Sequence, residues 1–366
     1  MKPSSKKTSK TALPKSRPTS KKTISETKKS PQTIKSKMVE KPQILAKTSS
    51  LKKFPGLGIN VVLKHQDENS LKTYIHYLQE LRVEWVRLEF NYYEIIPDSV
   101  MDFFVEELRR ANIKILGLLT GLVPGNFINC MIPSLRFRSP FDTMDHYKTF
   151  CERNAERYKT QITHWEIWNE PNTLRFWVRN PEPIEYVELV AAAAPIIKKI
   201  NPKNKTIFGG LMGDDIRVVA PFQRINYMQE CIDQGIDKYI DIYNFHPYDP
   251  ICYFAKKPAN IYFPTIAGII DTVLHKYRAV EKPFIISEIG VCPLWLKITQ
   301  TEIGQLYKEI YLHSLSKRID CYFWVLTDFK GADYSRWNPE TAFGLIDWEL
   351  KEKEMYKSFV TELKKI

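Results

Sequence analysis

No run of about 18 apolar residues occurs in the 366-residue chain, so no membrane-spanning helix is expected. Nothing in the first 50 residues supplies the uninterrupted apolar stretch of about 7–15 residues that a secretory signal needs. The expectation is a cytoplasmic protein, with export by another route left open. Neither GxGxxG nor a Walker-type loop is present, which argues against a doubly wound sheet built around a phosphate turn. The stretches Gly56-Leu57-Gly58 and Gly209-Gly210 read instead as close-packed strand ends. The six cysteines (Cys130, Cys151, Cys231, Cys252, Cys292 and Cys321) lie far apart with no paired spacing, so neither a disulfide framework nor a zinc site is expected, only reduced and mostly buried thiols. The seven histidines never fall in His-x-x-x-His or His-Glu-x-x-His spacing. No metal and no cofactor are expected.

What is present is a chain that is 43% hydrophobic and 13% aromatic, enough for a large core, with a formal net charge of +12. That charge is local. Residues 1–50 carry 14 Lys/Arg and 2 Glu, which accounts for the whole excess and leaves residues 51–366 neutral. The first 50 residues are mainly Lys, Ser, Thr and Pro, without an aromatic side chain. They cannot bury enough apolar surface to offset the entropy of ordering, and a disordered tail is expected. It is either a solvated linker or a non-specific polyanion contact through clusters such as Lys6-Lys7, Lys21-Lys22 and Lys28-Lys29. Lacking aromatics, it could touch phosphates but not stack bases.

From Phe54 onward, short apolar runs alternate with segments of helical period, the pattern of a parallel sheet wrapped in helices. Eight strands are expected, at 56–62, 84–90, 113–119, 163–169, 205–210, 239–245, 283–289 and 320–326. Leu71, Tyr74, Leu78 and Leu81 form one helical stripe, and Ile303, Leu306, Ile310 and Leu315 approximate another. Further helices are expected after Asp98, after Pro183, and over 351–366. Eight strand-helix units in residues 54–366 predict an α/β fold, a (β/α)8 TIM barrel. Long aromatic-rich loops at 120–140, 170–183, 247–263, 290–299 and 327–341 follow strands, and in such a barrel they share one face.

Two glutamates end strands: Glu170 in WEIWNEPN and Glu288 in IISEIG. Glycosidic hydrolysis needs a proton donor on one side of the bond and an anionic nucleophile or base on the other, and two carboxyls in unlike environments supply both. The sequence here resembles the retaining glycoside hydrolases of clan A. Asn169-Glu170-Pro171 matches that clan's fourth-strand motif, and the fuller WEIWNEPN is most similar to family 39, with family 5 next. The resemblance spans residues 54–366 and implies a carbohydrate substrate. It implies Glu170 as general acid/base, Glu288 as nucleophile, Asn169 on the sugar 2-hydroxyl, and Arg87 as the second-strand arginine that keeps Glu288 ionised. It further implies Tyr248, in His246-Pro247-Tyr248, as a hydrogen-bond donor to the nucleophile, and Trp324 as a platform for the sugar.

Other readings stand beside these. Arg87 could be an interior ion-pair partner of Glu166 or Glu89, and both roles could hold together. Glu166 shares side-chain parity with Glu170, about 13 Å further down a regular strand. Glu170 is chosen because it adjoins Pro171 and the loop. Trp165 and Trp168 are expected to pack in the core, whereas Trp177, Trp295 and Trp337 are candidate sugar platforms. Two other functions are weighed against hydrolysis: a catalytically retired glycan-binding or tethering barrel with a polyanion-binding tail, and a nucleic-acid protein with a barrel appendage.

Overall fold

A computed structural model describes residues 52–92, 96–121, 144–177, 181–213, 224–330 and 339–366. The expected tail, nearly all of the 120–140 loop, Cys130 and Trp337 lie outside the described residues. Nine strands form one parallel sheet: β1 (Phe54–Val61), β2 (Val83–Asn91), β3 (Lys114–Thr120), β4 (His164–Ile167), β5 (Lys205–Phe208), β6 (Leu211–Met212), β7 (Tyr243–His246), β8 (Phe284–Ile289) and β9 (Asp320–Phe323). Their order is β5-β4-β3-β2-β1-β9-β8-β7-β6, a curled α/β barrel sheet. Each expected strand is present; the fifth, expected over 205–210, ends as β5 at Phe208, and the short β6 begins after Gly209-Gly210. The β5 end of the sheet also reaches the segment that enters β7: Ile207 bridges Ile242 in parallel, and Phe208 N–H donates to the Ile242 carbonyl at 2.9 Å.

Helices α1 (Glu68–Glu80), α2 (Asp98–Arg110), α3 (Met144–Arg157), α4 (Pro183–Ile200), α5 (Tyr227–Asp233), α6 (Pro250–Phe254), α7 (Ala259–Lys276), α8 (Gln300–Ser316) and α9 (Glu354–Leu363) connect the strands. Their starts follow local chemistry. Asp67 accepts from the Ser70 N–H ahead of α1, and Thr299 with Glu302 forms a reciprocal capping box at α8. In α8 the buried face runs through Ile303, Leu306, Tyr307, Ile310, Tyr311 and Ser314. Leu315, read as part of that stripe, is 38% exposed; it lies one position past the seam. The expected 247–263 loop contains α6 and the start of α7, and its Tyr253 packs inward to donate to the Gly290 carbonyl at 2.7 Å.

The barrel interior is built in levels that follow the two-residue strand period. At the lowest, Trp85, Leu116, Ile207, Ile285 and Tyr322 form a closed apolar plug, with Ile242 packed on it. Two residues further along the same strands stand Arg87, Ser287 and Asn244, all buried. Above an apolar plug there is therefore a polar level, and it leads to the C-terminal ends of the strands. The opposite strand faces and the helix stripes make the main apolar core, which contains Trp165, Trp168 and Trp177, all fully buried. Trp165 and Trp168 pack as expected. Trp177 is not a sugar platform: its indole N–H donates to Glu185 at 2.9 Å under α4. The five described cysteines are free and buried.

Among the described residues, no helix is long and apolar enough to cross a membrane.

Candidate active site

Arg87 is the centre of the polar level. Its Nε and Nη2 donate to the two oxygens of Glu166 at 2.7 and 2.8 Å, a bidentate pair with both side chains essentially inaccessible. Nη1 donates to Asn60 at 3.0 Å and to Glu288 at 3.1 Å, and Nη2 also to Asn169 Oδ1 at 2.6 Å. Asn60 is the β1 register partner of Arg87 on β2. The two roles weighed for Arg87, interior ion pair and contact to Glu288, are thus met by one guanidinium. Burial opposes its charge, but Glu166, with Glu288 and Glu89 behind it, outweighs that and holds the guanidinium more firmly protonated than usual.

Glu166 stays in the interior, where it also accepts from Gly210 N–H at 3.0 Å and Asn244 Nδ2 at 2.9 Å. The parity argument linking it to Glu170 does not extend that far, because β4 ends at Ile167. Trp168 and Glu170 have φ of 67° and 40°, left-handed conformations that cost a non-glycine residue free energy. Glu170 is held there by its own N–H donating to the Gly210 carbonyl, and by Thr173 N–H and Oγ1 donating to its carbonyl. The bend takes its side chain to His246, whose Nδ1 lies 3.1 Å from Glu170 Oε1. His246 Nε2 lies 2.9 Å from Ser287 Oγ.

Glu288 arrives from β8. The β8–β9 register shifts between Ile286 and Ile289, and this irregularity accompanies two consecutive residues, Ser287 and Glu288, that both contact interior groups. Tyr248 OH donates to Glu288 Oε1 at 3.1 Å; burial and the adjacent Glu288 hold that phenol well above its ordinary pKa, so it stays a donor. One oxygen of Glu170, one of Glu288 and a His246 nitrogen all lie within 4.8 Å of one another. Among the described residues this is the only set that could converge on a metal ion. The Glu288 carboxyl is raised above the usual range. Burial is the main cause, His246 and Arg87 pull it down, and Glu170 and Glu340 push it up. Arg87 thus acts in the expected direction but does not outweigh desolvation.

All seven residues singled out from sequence gather at the C-terminal ends of the strands. Asn169, Arg87, Glu288, Tyr248, His246 and Glu170 form one connected chain of contacts. Half-exposed Trp324, just past β9, joins its rim by donating from Nε1 to Glu340 at 3.0 Å. Glu340 accepts from Arg175 as well, at 3.2 Å. The segment after β9 is pinned by a buried Asp328–Lys353 pair at 2.9 Å, and burial pushes the Asp328 carboxyl up to about 6. Trp295 is half-buried against Tyr253 and Phe343.

Sequence reasoning did not single out Asn60, Asn244, Ser287 or Glu340. Position was a usable signal for Asn244 and Ser287, which sit beside motif residues on β7 and β8. Glu340 sits in the short 3-10 turn Pro339–Thr341. Gly210 is a further constraint: a Cβ there would lie 2.0 Å from His246 Nε2. Gly210→Ala is expected to displace the imidazole and to destabilise the fold by about 1–3 kcal/mol, the usual cost of overpacking a buried position, read as a lowered melting temperature of the purified variant.

A parallel α/β barrel with paired glutamates at the C-terminal ends of its strands is the frame of the clan A glycoside hydrolases. The family model described as cellulase (glycosyl hydrolase family 5) matches residues 133–330, more than half of the chain, and the chain belongs to that family. The sequence motif had pointed to family 39 ahead of family 5, and solved structures of family 39 do match in fold. A family 39 glycoside hydrolase from the gut symbiont Bacteroides cellulosilyticus is 18% identical with a TM-score of 0.60, over 84% of this chain and 63% of that one. A monomeric beta-xylosidase from Caulobacter crescentus is 14% identical with a TM-score of 0.60, over 85% and 68%. An endo-1,4-beta-mannanase from Rhizomucor miehei is 14% identical with a TM-score of 0.56, over 84% and 93%. At these identities the likeness is one of fold. No curated protein sequence matches the chain.

Proposed function

We propose that this protein is a retaining β-glycosidase acting by double displacement. The observation that carries the reading is the spacing of Glu170 and Glu288, one carboxylate oxygen of each within 4.8 Å of the other. Retaining enzymes hold their carboxyls about 5–5.5 Å apart, whereas inverting enzymes need about 6.5–9.5 Å to admit a water. Glu288 has the two donors a nucleophile needs for orientation, Arg87 and Tyr248. Glu170 has neither of these contacts and takes the role of acid, then base. In the first step Glu288 attacks the anomeric carbon, the glycosidic C–O bond breaks, and Glu170 gives its proton to the departing oxygen. In the second, Glu170 takes a proton from water, which displaces Glu288 from the same carbon.

Asn169 has its Oδ1 committed to Arg87, so its Nδ2 donors are the end offered to the sugar 2-hydroxyl, a contact that tightens at the transition state. Trp324 provides an apolar face for the pyranose. The reading also takes β5 and β6 as one broken strand, so that the sheet closes as a (β/α)8 barrel, supported by the Ile207–Ile242 bridge.

A panel of aryl β-glycosides tests the activity and the sugar together: turnover of at least one is expected, and binding without turnover across the panel would favour the retired barrel. The pH profile is a second check. The nucleophile must be ionised, and its pKa is raised, so kcat/KM should fall with acidification through a limb lying above the ordinary glutamate value of about 4.3. A limb at or below that value contradicts the assignment of Glu288.

A further inference from the structure

The chemistry proposed above uses the C-terminal ends of the strands and leaves the opposite end of the barrel without a role. We propose that this N-terminal end is a docking face for an anionic lipid bilayer, held by charge and by an aliphatic edge, with the cleft turned away from the lipid. Because the strands are parallel, every segment that leads into one lies at this end. The segments entering β1, β2, β3, β4, β5, β7, β8 and β9 are 52–55, 81–84, 111–114, 158–164, 201–205, 234–242, 277–283 and 317–320. Together they hold twelve Lys/Arg and five Asp/Glu. Residues 51–366 are neutral in total, so the rest of that stretch carries the opposite excess. Charge is thus concentrated at one end of the barrel.

The acids of this face do not cancel its charge. Glu84 pairs with Lys114 at 2.8 Å, Asp237 with Lys282 at 3.4 Å, and Asp241 with Lys198 at 2.7 Å and Lys205 at 3.8 Å. Glu281 is exposed and Asp320 partly buried. If each of the five neutralised one cation, seven of the twelve would remain. The last turns of the helices leading in are nearly balanced, with six Lys/Arg and five Asp/Glu, and Asp271, earlier on α7, pairs with Lys317 at 2.7 Å. Two groups register the local field. Burial lowers the Lys53 ammonium to about 8, with Glu84 opposing and Lys114 adding to the shift. Burial, Lys114 and Lys205 hold His164 down at about 4 against Asp241. A separate feature selects lipid over nucleic acid. Leu312 and Leu315 at the end of α8 and Ile366 after α9 are 37%, 38% and 54% exposed, flanked in the chain by Lys317, Arg318, Lys364 and Lys365. A Lys308–Glu362 ion pair ties the two helices together. Such aliphatic groups can enter the acyl boundary of an anionic leaflet while the neighbouring cations stay at the headgroups. Phe54, Tyr158 and Tyr277 are buried and Tyr239 half-buried, which leaves these segments no open ring for stacking bases.

The first 50 residues, with their excess of twelve positive charges, enter the barrel ahead of β1, so the test leaves them unchanged and alters the face alone. The full chain is floated with phosphatidylcholine vesicles and with mixed phosphatidylserine–phosphatidylcholine vesicles. Binding to the mixed vesicles should be at least about tenfold tighter at low salt, and the difference should shrink as salt rises. Lys52→Gln, Lys203→Gln, Lys238→Gln and Arg278→Gln in one variant should weaken binding to the mixed vesicles at least about tenfold. Leu315→Ser with Ile366→Ser should weaken vesicle binding and leave retention of duplex DNA unchanged. Melting temperatures equal to wild type report that both variants fold. No binding to the mixed vesicles, binding that either variant leaves unchanged, or tighter binding to duplex DNA than to the mixed vesicles overturns the proposal.

Discussion

Glu288→Gln should lose turnover on every glycoside substrate by a factor on the order of 10^4 or more, the scale of removing a covalent nucleophile. The amide is nearly isosteric but offers one acceptor oxygen where the carboxylate offers two: Arg87, which donates to Oε2, keeps its partner, while Tyr248, which donates to Oε1, must turn its hydroxyl to accept from the amide N–H, and the fold should survive. The substitution also removes one of two closely spaced carboxyl groups, which favours stability slightly. A melting temperature equal to or above wild type, together with lost activity, is the expected pair of results. Glu170→Gln should behave differently. With a leaving group as acidic as dinitrophenol the first step needs no proton, so glycosylation should be spared and deglycosylation, which needs the base, should become limiting. Steady-state and burst kinetics on good and poor leaving groups separate the two roles.

Arg87→Met carries the second large effect, and it falls on both stability and rate. Arg87 is 2% exposed and supplies both charge-assisted contacts to Glu166, which has no accessible surface. Removing one partner of a buried pair strands the other charge, at a cost of about 3–5 kcal/mol. Asn244 and the Gly210 N–H continue to donate to Glu166 and limit the loss. Thermal or urea unfolding should report a drop of this size. The same change frees Asn169 Oδ1 and takes away one donor from Glu288, so the residual folded enzyme should be strongly impaired in kcat. Arg87→Met with Glu166→Gln should recover much of the stability without the activity, because the stranded charge is gone while Glu288 and Asn169 stay unpositioned.

Much of this barrel was legible because strands buried on both faces read as near-continuous apolar runs bounded by polar breaks. All eight expected strand positions hold a strand, and the stripe from Leu71 to Leu78 is the buried face of α1. What was lost is instructive. α7 is apolar on nearly every side and contains Pro264, so it shows neither a stripe nor a clean start, and its first turn was read as loop. Trp177 looked like a loop platform because sequence does not reveal that α4 covers it. At the site, residue types and motif neighbours brought together Arg87, Asn169, Glu170, His246, Tyr248, Glu288 and Trp324. Period-two reasoning could not reach their geometry, since Trp168 and Glu170 leave the extended conformation and the β8–β9 register slips at Ser287-Glu288. Glu340, which accepts from the Trp324 indole out of the short turn Pro339–Thr341, lies outside any strand and so escapes a strand-end pattern.

The central claim is that Glu288 attacks the anomeric carbon while Glu170 serves first as acid to the departing oxygen and then as base to the water that displaces Glu288. Proton NMR of the first product released from a β-glycoside tests it most directly, recorded before mutarotation scrambles the signal. The spacing within 4.8 Å predicts that the β-anomer appears first and the α-anomer grows in only later. An α-anomer as the first product would mean a single displacement by water and would contradict the double-displacement account.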